Sequence, residues 1–123
     1  MHTKTTIFAV LLAVTSMYSQ CDEWMRLGSS SEVSVDVMKN SGERVNVSSG
    51  GIIYTAVFRN VTDSETQMYR AFVNVADCKV GLGVVGFATM NSVPITKNNF
   101  SLVGNQVTDA VAKMLCIAYA ANN

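Results

Sequence analysis

The most specific chemical pattern in the chain is Gly81-Leu82-Gly83-Val84-Val85-Gly86, a literal G-x-G-x-x-G. In a dinucleotide site such glycines open a helix whose N-terminus faces a pyrophosphate. Here Pro94 arrives too soon for a crossover helix. The pattern therefore reads as a glycine-bulged, twisted strand, and no cofactor is expected. The only histidine is His2, so the chain beyond its first residues lacks the usual base for a Ser or Cys nucleophile and the commonest transition-metal ligand. Asp36, Asp63, Glu65 and Asp77 are scattered, with no D-x-D or E-x-x-E pairing of the kind that converging carboxylates favour. No catalytic residue and no metal ligand set is expected, and the chain reads as a non-enzyme.

The remaining reactive residues are three cysteines, Cys21, Cys78 and Cys116, which cannot all pair within one chain. Lys4, the apolar run of residues 7–14 and a Ser-containing exit form the three parts of a secretory leader, assigned to residues 1–20. The apolar run is far shorter than the roughly 20 residues that span a bilayer. Export to the periplasm, the outer membrane or the cell surface is expected, and an oxidising compartment lets disulfides persist. Cys78 and Cys116 are the natural pair inside the folded domain, and closing that loop stabilises by about 4 kcal/mol in the chain-entropy model. Cys21 lies at the processing junction. Gln20 and Tyr18 stand where a lipoprotein leader wants a small and an aliphatic residue, so "YSQC" is a poor lipidation signal. Its distance from the apolar run still makes Cys21 a candidate lipid attachment point. The other readings are a free thiol and a bridge between two chains.

Residues 21–123 fit a single domain. Past the leader, eight Lys/Arg stand against nine Asp/Glu with no basic block, so nucleic acid has no electrostatic claim. No Lys/Arg-rich amphipathic helix is visible, so membrane contact would run only through a lipid on Cys21. Asn-x-Ser/Thr triplets at Asn46, Asn60 and Asn99 are what this composition produces by chance.

The elements that would carry these residues are mostly strands. "EVSVDVM" (32–38) alternates strictly, with Val33, Val35 and Val37 on one face and Glu32, Ser34 and Asp36 on the other. "KNSGE" supplies a turn and "RVNV" resumes the alternation, which predicts a hairpin over 32–47. "IIYTAVFR" (52–59) suits a central strand, "MYRAFVNVADC" (68–78) the next, and "KVGLGVVGFATM" (79–90) another. From Asn105, a candidate N-cap, Val107, Ala110, Val111, Met114, Leu115 and Ala118 form one helical stripe. The expected fold is α+β: a single antiparallel sheet of about five to six strands with one C-terminal helix packed on it, tied by a sheet–helix disulfide. Cys116 complicates this, because it shares a second apolar sector with Ala112, Tyr119 and Ala120. Either the last turn bends toward the sheet, or a second copy covers that sector as a homodimer through the helix. Arg59, Arg70 and Lys79 flank strand ends and form a candidate binding edge. Trp24 reads as a core or sheet-edge anchor.

Trp24 with "RLGSSSEVSVDV", a turn with "SGERVNV", a strand ending in "NVADC" and a closing "VTDAVAKMLC" together resemble the bacterial surface-adhesin protein E-like family. The resemblance spans most of residues 24–118, and "GLGVVG" departs from it. It implies an exported, often dimeric binding protein with Cys78 and Cys116 bridged. Its expected partner is a protein ligand, such as a host extracellular-matrix protein or plasminogen. A non-catalytic periplasmic inhibitor or immunity factor is the alternative expectation.

Overall fold

Residues 52–61 are rich in β-branched and aromatic side chains, and the sheet is ordered around the long strand they form. The computed structural model describes residues 23–122. In chain order they form β1 (Trp24–Ser29), β2 (Ser34–Met38), β3 (Glu43–Asn46), β4 (Ile52–Val61), β5 (Thr66–Asn74), α1 (Val75–Val80), β6 (Leu82–Ala88), β7 (Pro94–Ser101) and α2 (Val107–Ala121). The architecture is α+β, with one antiparallel sheet and a C-terminal helix packed on it. The sheet runs β1-β2-β4-β5-β6-β7, and β3 adds a seventh strand beside β4.

The predicted hairpin over 32–47 does not form. Residues 34–37 pair with 58–61, while residues 43–46 pair with 52–55, so β2 and β3 lie end to end along one side of β4. A ten-residue strand offers more edge than either short strand can fill, and occupying all of it satisfies more backbone groups than a free hairpin would. The break between the two is closed by Ser41. Its Oγ accepts from the Val57 backbone N–H at 2.9 Å and donates to the Met38 carbonyl at 2.8 Å.

The strand read as 68–78 ends earlier. Asn74 caps a short helix by accepting from the Ala76 N–H at 3.0 Å, and Gly81 ends it with a left-handed φ of 91°. Val75 continues the apolar alternation, but these two boundary residues turn the chain into α1. β7 was not anticipated, because six of its eight residues are exposed and it lies at the sheet's edge, with Pro94 in its first position.

The helices lie on one face of the sheet. Val35, Phe58, Ala71, Val73 and Val85 pack there against Val111, Ala112 and Leu115. Val111 and Leu115 are wholly buried, each contributing about 1.5–3 kcal/mol through removal from water. Phe58, Tyr69 and Phe87 form a ring row beneath them, at centroid distances of 6.0 and 5.7 Å. The N-cap of α2 is Gln106 rather than Asn105. Asp109 in the first turn accepts from the N–H of Gln106 and from that of Ser101, each at 2.9 Å.

The disulfide joins Cys78 to Cys116 across a Cα separation of 5.6 Å. It bridges α1 to α2 and is therefore helix–helix rather than sheet–helix. This accounts for Cys116 in the second apolar sector of α2: α1 lies beside it on the same face, while Ala120 of that sector stays exposed. Removing the bridge with Cys78→Ser and Cys116→Ser should lower the unfolding free energy by about 4 kcal/mol, read by urea titration with and without reductant. An unchanged urea midpoint would show that packing alone holds α1.

The two backbone N–H groups on Asp109, from Ser101 and then Gln106, hold its carboxyl below the ordinary value of 3.8, helped by Lys113 and opposed by burial. The folded carboxyl has the lower pKa, so its contribution is complete above the ordinary carboxyl range. It is lost as pH falls through the lowered folded value. Asp109→Asn should flatten the acid limb of a stability-versus-pH curve and lower the melting temperature at neutral pH.

Candidate functional site

Alternation along β4 sends Tyr54, Ala56 and Phe58 to the helices and Ile53, Thr55, Val57 and Arg59 to the opposite face. No described helix covers that opposite face. The register places Arg26 opposite Asp36, Asp36 opposite Arg59, and Arg59 opposite Met68, making one row across four strands. Asp36 is only 1% exposed, although it lies on the face without a helix. Its cover is the row itself. Arg26 Nε donates to Asp36 Oδ1 at 2.6 Å and Arg59 Nε donates to Oδ2 at 2.7 Å. The Arg59 guanidinium also lies 4.3 Å over the Trp24 ring, which stands two residues from Arg26 on the same face of β1.

One carboxylate between two guanidiniums leaves a surplus positive charge. Arg70, opposite Val57 in the next row, adds another, with its Nε donating to the Met90 carbonyl at 3.1 Å. In all three arginines the Nε is engaged, while the Nη groups have no acceptor among the described residues. Farther along, Phe72 lies over Gly86, where a side chain would collide with the ring. Ile53, Phe72, Val84 and Lys97 line a shallow hollow of about 260 Å³ beside them.

The helix side has hollows of similar or larger size, about 250 Å³ near Leu27 and Val107 and about 330 Å³ near Met25, Tyr54 and Met114. Their linings are mainly apolar side chains at the margin of the core, with no converging charged groups. Fixed charges single out the open face instead. Tyr69, on the helix side, donates to Asn60 Oδ1 at 2.8 Å; burial, and secondarily the charge of Asp36, push its phenol up to about 12. At neutral pH it is a fixed donor.

Of the anticipated binding edge, Arg59 and Arg70 share the open face as diagonal neighbours, while Lys79 is exposed in the last turn of α1, beyond the end of β5. Arg26 and Asp36 were missed as site residues. Strict alternation placed Asp36 on the outer face of β2, but only strand order puts an arginine on each side of it. Trp24 is indeed at a sheet edge. The outward surface of α2, expected to form a dimer, offers Ile117 at 55% exposure with Lys113 and Ala120 near it. Residues 1–20 and Cys21 lie outside the described residues, and with them the leader and the lipid attachment point. Among the described residues no three His, Cys, Asp or Glu side chains cluster as a metal site, and no helix is long and apolar enough to cross a membrane.

Fold and site together define an α+β domain with a helix-free, arginine-bearing sheet face. Comparison with protein-family models, curated proteins and solved structures found no match.

Removing the carboxylate should unmask the row. Asp36→Ala leaves two guanidiniums facing each other across a gap, and should cost about 2–3 kcal/mol. That is below the range for a fully buried pair, because the arginine side chains are about 30% exposed. Trp24 is the sole tryptophan, so its emission should shift as Arg59 leaves the ring. Unchanged emission and an unchanged denaturation midpoint would show that the row is incidental.

Proposed function

We propose that the protein is a non-catalytic, exported binding module of the cell envelope. In this reading it is adhesin-like, taking a host extracellular-matrix protein or plasminogen on the open face of its sheet. The observation that carries this is the helix-free face, where Arg26, Arg59 and Arg70 stand with Trp24 and Met68 and their Nη donors have no acceptor among the described residues. Arginine, tryptophan and methionine are the side chains that protein interfaces concentrate. The hollow on this face, about 260 Å³, falls below the usual range for small-molecule sites and is open, which favours a broad protein contact. The leader supports the address, and the near-neutral charge argues against a nucleic-acid partner.

A panel of immobilised matrix proteins and plasminogen should include at least one partner bound with micromolar or tighter affinity. The double variant Arg59→Ala/Arg70→Ala should weaken that binding by about tenfold or more, whereas Ile117→Ala on α2 should not change it. Equal binding by the double variant would move the ligand off this face. Protease shaving of intact cells checks the address: complete protection would sink the adhesin reading in favour of a partner inside the envelope.

A further inference from the structure

We infer that the segment recognised by this face is acidic, and that its carboxylates are held by the outward edges of Arg59 and Arg26 with Arg70 as a third donor; the inference rests on the open face being the ligand surface. A guanidinium has five N–H donors in a rigid fork. In Arg26 and Arg59 the Nε–H is committed to Asp36, which leaves the edge formed by the two Nη groups without an acceptor among the described residues. That is the edge that grips a carboxylate with two parallel hydrogen bonds. The Trp24 ring, 4.3 Å from the Arg59 guanidinium carbon, restrains that side chain. Side chains held in the binding geometry beforehand lose less entropy when a ligand arrives.

Neutralising Asp36 accounts for one arginine. A second on the same carboxylate is surplus, and a buried ion pair holds a fold together no better than apolar residues of similar volume. The surplus has a use if its target is a negative charge outside the protein. The charge pattern agrees: the chain as a whole is neutral, yet this row and its neighbour carry three arginines against Asp36 alone. Glu43 on β3 and Asp77 beside the hollow mark the far limit of the positive patch.

Spacing selects an extended acidic peptide over a polyanion. Diagonal neighbours on a sheet, such as Arg59 and Arg70, stand about 7–8 Å apart. Alternate residues of an extended chain lie about 6.6–6.8 Å apart, so carboxylates at every second position meet both arginines. The side chains between them can rest on Met68, which is 44% exposed. Polyanions instead reward long runs of positive charge, and none exists here.

The test titrates the isotope-labelled mature protein with a blocked peptide carrying glutamate at alternate positions. Its glutamine counterpart and a heparin oligosaccharide serve as the other arms. The side-chain Nε–H signals of Arg26, Arg59 and Arg70 and the Trp24 indole signal should shift and saturate with the glutamate peptide alone. Arg70→Gln, which gives up only a bond to a loop carbonyl, should weaken the binding by about fivefold, and Arg59→Gln by more if that variant folds. Equal shifts with the glutamine peptide, or tighter binding of heparin, would overturn the inference. If the glutamate peptide fails while Arg59→Ala/Arg70→Ala still abolishes binding of the protein ligand, the carboxylate inference falls and the open-face reading stands. A glutamate peptide that binds without displacing the protein ligand would place that ligand elsewhere and overturn both.

Discussion

A sheet has two faces, and this chain has helices for only one of them. The asymmetry organises the molecule. On the helix side, Phe58, Val73 and Val85 are removed from water by α2. On the other side the sheet shields itself with long side chains, and the clearest instance is Asp36, buried by the two arginines that neutralise it. A carboxylate there would be costly alone. Flanked by Arg26 and Arg59, it ties β1, β2 and β4 together at the edge of the sheet, where the backbone ladder is interrupted between Arg26 and Gly28.

The second organising contact is the junction of α1 with α2. A six-residue helix has little stability of its own. Its cap at Asn74, its left-handed stop at Gly81 and the bridge from Cys78 supply what length does not. Once in place, α1 lies against the sector of α2 around Cys116, while Val107 and Ile117 stay exposed on the outward side of that helix.

The glycines that imitate a nucleotide motif are consumed by this packing. Gly81 ends α1, Gly83 admits the side chain of Asp77, and Gly86 admits the ring of Phe72. Gly81 supplies a left-handed φ, and the other two give up a side chain so that a neighbour can approach. A pattern defined by absent side chains fits either use, and only the surroundings decide between them.

The sequence by itself determined the class of fold. Period-two alternation in 32–38, β-branched and aromatic content in 52–59, a helical stripe from 107 and two cysteines within the domain are local or pairwise signals, and they led to an antiparallel sheet, a C-terminal helix and the Cys78–Cys116 bridge. Arg59 and Arg70 were legible as candidates because they flank strand ends and the polar connector between them. What only the tertiary structure decided was adjacency: β3 beside β4 rather than β2, Cys78 on a helix, a seventh strand of polar residues, and Asp36 between two arginines. Each depends on which strand lies next to which. Alternation says which way a side chain points, but a partner many residues distant is chosen by the competition of every strand for the same edge of β4, and that competition has no signature in any single stretch of the chain.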